Sequence, residues 1–387
     1  MTEWKKVRLG DLCKNVYSGG TPKKSITEYY DGSIFWLNTK EINFNRIYET
    51  EKTISEKGLA NSSAKYIPEN TVVVAMYGTT AGKVAIAKNE MTTNQACCNL
   101  IIDETKADYN FVYYSIAHNY KKLSSLANGG AQQNLNAGII KDFEISLPPL
   151  SIQKEIASIL IPLDDKIENN KKINHHLEEL IDAQFAHLLE DNELYKSTFS
   201  EIGEIVGGGT PSKKVDDYWN GDIPWLSPKD LSLNPAMFTG RGQNSITELG
   251  YKKSSAKLMP RNSILFSSRA PIGYITIAEN DISTNQGFKS IIPKPEYPYT
   301  FVYELLKQET PSLESSASGS TFKEVSGTHL KNHEIRIPPH SAIIKFHESV
   351  EPLFKTINLN EKEIQKLIEV RDLLLPTLMS GEISVSD

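Results

Sequence analysis

A chain that restates itself half its length later has to fold the same way twice. The run SGGTPKKSITEYYDGSIFWLNTKEI, beginning at Ser18, returns as GGGTPSKKVDDYWNGDIPWLSPKDL, beginning at Gly207, at a constant shift of 189 residues. Gly-Gly-Thr-Pro recurs, then Gly-x-Ile-x-Trp-Leu, then a Lys-acid-aliphatic ending. The correspondence continues. SSAKYIPENTVVVAMYGTTAGKVAIAKNEMTTNQ from Ser62 is answered by SSAKLMPRNSILFSSRAPIGYITIAENDISTNQ from Ser254. Both read as a turn, an apolar strand, a glycine-containing break, a second strand and Thr-Asn-Gln, because β-branched and aromatic runs bounded by Pro, Asn and Gly are strand signals. NFVYYSIAHNYKKL matches TFVYELLKQETPSL as a short helix, and FEISLPPLS matches HEIRIPPHS as a strand closed by a proline pair. Each half is therefore expected to be a mixed α+β domain, over residues 1–148 and 196–340.

Each domain is followed by a segment of different periodicity, 149–195 and 341–387. In the first, apolar or amide residues recur at Ile156, Ile159, Leu163, Ile167, Asn170, Asn174, Leu177, Ile181, Gln184 and Leu188. In the second the positions are Ile343, Phe346, Val350, Leu353, Ile357, Asn360, Ile364, Leu367, Arg371, Leu374 and Leu378, apolar or amide but for the arginine and in strict 3,4 alternation. That alternation is the seam of a coiled coil. Pro162 and Pro352 stand at equivalent points and are expected to start or kink the main helix. Asn170 and Asn360 are also equivalent; each either fixes register inside the seam or sits at its solvated edge. Two such helices in one chain pack most economically on each other. The expected architecture is two repeated domains joined by two long helices in an antiparallel coiled coil, with pseudo-twofold symmetry.

The net charge of −6 argues against a nucleic-acid binder until it is divided among the segments. Residues 1–148 carry +2 and residues 196–340 carry +1, whereas residues 149–195 carry −6 and residues 341–387 carry −3. The two large segments can approach phosphate and the two small ones avoid it, so a partner is expected to supply much of any cationic clamp. Cys13, Cys97 and Cys98 are odd in number and two are adjacent, which suits free thiols in a reducing cytoplasm. No signal peptide is read at the N-terminus, and no apolar run reaches the roughly 18 residues of a membrane span.

Catalytic patterns are missing. There is no Gly-x-x-x-x-Gly-Lys-Ser/Thr loop, no His-Glu-x-x-His and no Gly-x-Ser-x-Gly. An amino-methyltransferase needs Asn or Asp before Pro-Pro, but Pro148-Pro149 follows Leu147 and Pro338-Pro339 follows Ile337. His175-His176 and the pair His329/His333 lack a third ligand at metal-binding spacing. Gly19-Gly20 and Gly208-Gly209 either cradle a phosphate or make a tight turn before Thr-Pro.

The chain resembles the specificity subunits of type I restriction-modification systems. The resemblance lies in the two GGTP…W(L)…K blocks, the paired TNQ segments, the central LPPLSIQKEIASIL…LDDKIENNKKINHHLEEL and the terminal LIEVRDLLLPTLMSGEI, and it covers essentially the whole chain. It implies two target recognition domains, each reading one half of a bipartite asymmetric DNA sequence, with the helices as spacer. It implies two modification subunits that bind S-adenosylmethionine and methylate adenine N6, and restriction subunits that use ATP and Mg²⁺. It implies that this chain binds double-stranded DNA, no cofactor and no membrane, and is no enzyme on its own. The alternatives are an S-like subunit of another methyltransferase-nuclease system, a fused nuclease, and a coiled-coil scaffold with no DNA role.

Within a repeat, identical positions are expected to be scaffold and differing positions in matching loops to carry half-site preference. MYGTTAG answers SSRAPIG, which singles out Tyr77, Thr79 and Thr80 against Ser268 and Arg269. GGAQQNLN answers SGSTFKEV, which singles out Gln132, Gln133 and Asn134 against Thr321 and Lys323. These types hydrogen-bond base edges. Lys40, Lys229 and Arg241 are expected to contact phosphate. Asn94-Gln95 and Asn285-Gln286 are the same in both halves and read as structural. The seam is carried by Ile167, Asn170, Leu177, Ile357, Asn360, Ile364 and Leu367.

Overall fold

The two halves build the same sheets in the same strand order. A computed structural model describes residues 4–127, 134–317 and 323–382. The chain divides into two units, Met1–Lys166 with Leu367–Asp387, and Ile167–Lys366. In the first, among the described residues, a five-stranded sheet runs in the order Cys13–Ser18, Cys97–Ile102, Thr71–Ala75, Val84–Ala87, Asn45–Ile47. A four-stranded sheet runs Thr53–Ile54, Tyr30–Leu37, Met91–Thr93, Tyr66–Ile67, and Lys5–Arg8 pairs with Glu144–Leu147. In the second unit the same three sheets recur. The five-stranded one runs Gly203–Gly207, Lys289–Pro293, Ile264–Ser268, Ile272–Ala278, Phe238–Thr239. The four-stranded one runs Asn244–Ile246, Trp219–Leu226, Ile282–Thr284, Leu258–Met259, and Tyr195–Thr198 pairs with Glu334–Ile337. Each domain is α+β, with antiparallel ladders and two parallel pairs, for example Trp36 opposite Thr92 and Asn45 opposite Ala85.

The central strands explain why the repeat is so apolar there. Thr71–Ala75 and Ile264–Ser268 are buried at every position, so alternation gives way to a continuous run. Both are entered through an asparagine at positive φ, Asn70 at 62° and Asn262 at 68°. Asparagine tolerates that region better than other residues with a side chain. The Asn70 and Asn262 N–H groups then donate to the Ala87 and Ala278 carbonyls at 2.7 and 2.8 Å. The expected short helix forms in both halves with different lengths. In the first it is Tyr109–His118, capped by Asp108 accepting from the Phe111 N–H at 3.0 Å, followed by Tyr120–Ser125. In the second it is one 17-residue helix, Tyr299–Ser315.

The spacer helices are longer than their periodic cores. Helix α1 spans Leu150–Glu190 and helix α2 spans His340–Ser380, 41 residues each, or roughly 60 Å. Neither starts at its internal proline. Both start directly after the proline pair, and Pro162 and Pro352 fall within them. The start of α1 is held by Gln153, whose side chain donates to the Pro148 carbonyl at 2.8 Å and accepts from the Asp108 N–H at 2.9 Å.

In the second unit the helices pair antiparallel, because partners on α2 rise in number as those on α1 fall. Gln184 accepts from Ser349 at 2.8 Å, Asn174 from Asn360 at 2.7 Å, and Asn170 donates to Glu363 at 2.7 Å. Ile181, Phe185 and Leu188 share a buried core with Ile343, Phe346, Val350, Phe354 and Ile357, and Ile167 and Ile364 are buried as well. Phe185 and Phe346 meet edge to face at 5.5 Å. In the first unit Ile156 and Leu160 share a core with Leu378 and Met379, and Asp164 accepts from Arg371 at 3.0 Å and from the Tyr114 hydroxyl at 2.6 Å. The buried stripe differs from the 3,4 reading at several points. Leu160, Asp164, Phe185 and Phe354 are inside, while Ile159 is 38% exposed. The reason is that each helix packs on a domain core as well as on the other helix, so positions flanking the seam are buried too.

Candidate nucleic-acid interface

Four loops that lie far apart in sequence are stitched into one surface in each domain. In the first, the short turn Thr39–Glu41 carries Lys40 outward. Its Glu41 carboxylate accepts from the Asn38 N–H at 3.0 Å and the Glu51 N–H at 2.9 Å. Asn94 donates to the Asn38 side chain at 3.0 Å, and its own side-chain oxygen accepts from the Ala96 N–H at 2.9 Å. The Met76 N–H donates to the Ala96 carbonyl and the Leu135 N–H to the Met76 carbonyl, both at 2.8 Å. Lys40, the Asn94–Ala96 loop, the Tyr77 loop and Asn134 are therefore contiguous.

The second domain repeats the stitching. Asp230 accepts from the Ser227 N–H at 2.7 Å and the Gln243 N–H at 3.0 Å, and Lys229 points outward beside it. Asn285 accepts from the Gly287 N–H at 2.8 Å, Ser268 N–H donates to the Gly287 carbonyl at 2.7 Å, and Val325 N–H to the Ser268 carbonyl at 3.0 Å. The acid of the Lys-acid-aliphatic ending is thus a clamp that fixes the lysine loop. Its signal in the sequence was its repetition.

The glycine pairs neither turn nor cradle phosphate. A Cβ on Gly19 would lie 2.0 Å from the Thr93 carbonyl oxygen, and one on Gly208 2.0 Å from that of Asn285. The Gly20 and Gly209 N–H groups are consumed inside, on the Thr93 and Thr284 carbonyls at 2.9 and 2.8 Å. Trp36 and Trp225 donate to the Gly20 and Gly209 carbonyls, both at 2.9 Å, and Thr21 and Thr210 donate to Gln95 and Gln286. The GGTP, Trp-Leu and TNQ blocks recur together because they touch one another.

The selected loop residues divide by exposure. Lys40, Tyr77, Thr79, Asn134, Lys229, Arg241 and Lys323 are exposed, and Thr80 and Arg269 are partly so. Tyr77 is 43% exposed and forms a β-bridge with Asn134. Ser268 is different: it is 0% exposed, and its hydroxyl donates to the Gly287 carbonyl at 3.0 Å. A duplex cannot reach it. The hydrogen bonds show why. Ser268 matches Met76, which is 3% exposed, and Arg269 matches Tyr77, one residue off the ungapped pairing of MYGTTAG with SSRAPIG. Gln132, Gln133 and Thr321 lie outside the described residues. Of the seam residues, Ile167, Asn170, Ile357 and Ile364 are buried and Leu177, Asn360 and Leu367 half-buried.

The surface is mildly cationic, and part of it was not singled out from sequence. Lys24, Lys40 and Lys52, with Glu51, rim a cavity of about 470 Å³ in the first domain, floored by Tyr30 and Trp36. In the second, Lys289 and Arg269 both reach Glu324, at 3.4 and 3.3 Å. The repeat carried a signal for Lys289, since the matching residue is Cys98. Burial pushes the Cys13 and Cys98 thiols up to about 12 and the Cys97 thiol further still, which makes them unreactive. Among the described residues no group of three or more His, Cys, Asp or Glu side chains is placed to hold a metal ion, and no helix is long and apolar enough to cross a membrane. His175 and His176 face Glu179, and His333 faces Glu309 at 3.0 Å.

Known proteins share this organisation. The profile of the type I restriction modification DNA specificity domain matches residues 1–179 and again residues 192–369. The MjaIX type I restriction enzyme specificity subunit of Methanocaldococcus jannaschii is 28% identical, over 100% of this chain and 98% of that one. The HindI type I restriction enzyme specificity subunit of Haemophilus influenzae is 24% identical, over 99% and 100%. The crystal structure of a type I restriction-modification S subunit from M. genitalium has the same fold, with a TM-score of 0.62 at 19% identity over 97% of this chain and 96% of that one. Matched once in each half and over most of its length, the chain belongs to the family of type I restriction modification DNA specificity domains.

Proposed function

We propose that the chain is the DNA-specificity subunit of a type I restriction-modification complex and has no catalytic step of its own. Residues 1–148 read one half of a bipartite, asymmetric sequence in double-stranded DNA and residues 196–340 read the other. The helical segments 149–195 and 341–387 set the gap and dock two modification subunits. Those subunits carry S-adenosylmethionine, and restriction subunits using ATP and Mg²⁺ join the same cytoplasmic assembly. The observation that supports this reading most strongly is the pair of loop surfaces. Their scaffold hydrogen bonds are the same, through Asn94 and Asn285, Glu41 and Asp230, while the exposed side chains on them differ. A duplicated frame with unlike contacts suits two unlike half-sites.

The test is a genome-wide adenine-methylation map with the gene intact and deleted. One interrupted bipartite motif should vanish on deletion. Exchanging residues 1–148 for those of another family member should then rewrite one half of the motif and leave the other unchanged. If no motif disappears while modification subunits are expressed, or both halves change with the exchange, the assignment is wrong.

A further inference from the structure

Three positions, two on the loop surface and one on the strand beneath it, change together between the halves. In the first domain they hold Tyr77, Cys98 and Asn134, all uncharged at neutral pH. In the second they hold Arg269, Lys289 and Glu324. The frame around them does not change. Leu135 N–H meets the Met76 carbonyl as Val325 N–H meets that of Ser268, and Cys98 stands opposite Ser18 as Lys289 stands opposite Gly207. A scaffold that closes equally well with neutral residues gives no reason for three charges.

The three charges form one network. Arg269 Nη1 lies 3.3 Å from Glu324 Oε2, and Lys289 Nζ lies 3.4 Å from Glu324 Oε1. Lys289 also donates to the Gln286 carbonyl at 3.3 Å. The lysine side chain is 18% exposed and the arginine 38%, so lysine is the inner support and arginine the outer group. A partly exposed ion pair of this kind adds little to stability. It does orient the guanidinium, which has five N–H donors and keeps some for a ligand. Glu324 beside it repels a phosphate, so a neutral base edge is the better partner. Guanine offers O6 and N7, the two acceptors that fit the arginine fork.

We propose that Arg269 reads a guanine in the half-site of the second domain, with Glu324, steadied by Lys289, as its positioning residue. This rests on the half-site reading above and adds a base to it. The experiment uses the complex of this chain with its modification subunits, and DNA in which each base of the second half-site is varied in turn. The quantity read is the ratio of methylation rates for guanine against each other base. The wild-type complex should prefer guanine at one position by roughly 5- to 150-fold. Arg269→Ala should bring that ratio to within about threefold of unity, with every other position and the first half-site unchanged. Glu324→Gln should lower the same ratio by a smaller factor, with an unshifted thermal midpoint. Being a ratio within one preparation, it is insensitive to the amount of active complex, and Arg269→Gln serves if the alanine variant fails to assemble. A guanine preference that survives loss of Arg269, or a second half-site with no specified guanine, overturns the proposal. If the wild-type complex shows no bipartite preference at all, the half-site reading itself falls.

Discussion

Glu304 shows how much of this protein's electrostatics is decided by packing. It is 3% exposed on the helix Tyr299–Ser315 and faces Asp182 and Glu178 of α1, with Lys307 and Tyr303 beside it. Burial pushes its carboxyl up to about 8, Lys307 pulls it down, and Asp182 and Glu178 push it further up. Glu361 is raised to about 7, again by burial, against the Met237 and Phe238 N–H groups that donate to it at 2.7 and 3.0 Å. Both groups hold their proton more tightly folded than unfolded. Their contribution is therefore full below the ordinary value of 4.5 and is lost as pH rises through about 7 to 8. Glu304→Gln is neutral at every pH. It should leave the thermal midpoint at pH 5 nearly unchanged and raise it at pH 9 by roughly 3–8 °C, an effect on the order of 2 kcal/mol. A midpoint that moves equally at both pH values would show that Glu304 is ionised throughout. No local pattern in the sequence announces this group, since the residues that raise it stand more than a hundred positions away. Residues whose role is to close the repeated frame were legible: Asn94 and Asn285 recur because each bonds its own loop. Ser268 was misjudged because a one-residue gap in the second domain cannot be placed without seeing which N–H meets which carbonyl.

The helices were legible as elements and less so as surfaces. Two long helices followed from periodicity, but their full 41 residues, begun ahead of Pro162 and Pro352, and the partners of their polar seam positions had to be seen. Asn170 bonds Glu363 and Asn174 bonds Asn360, so the two equivalent asparagines have unlike partners. Asn174 is 7% exposed and Asn360 half-buried. Replacing one amide by leucine leaves the other facing an apolar stripe without its partner, which costs about 1 kcal/mol. Asn174→Leu and Asn360→Leu should each lower stability by about that amount, while the double variant should return to the wild-type value or exceed it. Thermal melts of the four proteins give the coupling energy directly. Additive losses would mean that the amide pair is solvated and sets nothing. A seam that gains stability once both amides are gone would mark them as devices for register.

At the scale of the molecule the charge map makes a separate demand. The recognition segments carry only +2 and +1, and many of their cations already face acids: Lys57 with Glu28, Arg46 with Asp165, Lys196 with Glu334, Lys252 with Glu248. The exposed lysines on the loop surfaces include Lys24, Lys40, Lys52, Lys229 and Lys323. The helical segments, at −6 and −3, repel phosphate. A protein that neutralises Z phosphates loses affinity with salt at a logarithmic slope of about −0.9Z. The chain alone should therefore bind its site weakly, with a slope of roughly −1 to −3, and the complex with modification subunits should bind with a slope several units steeper. Titrations of one labelled duplex between low and physiological salt, with and without those subunits, give both slopes. Equal slopes would mean that this chain supplies the whole cationic clamp despite its charge, and that the acidic helices lie away from the DNA for some reason other than a partner. Unequal slopes would mean that base reading and phosphate binding are divided between subunits. The near-neutral charge of the reading domains would then favour specificity, since a reader with little non-specific attraction spends less time on the wrong sequence.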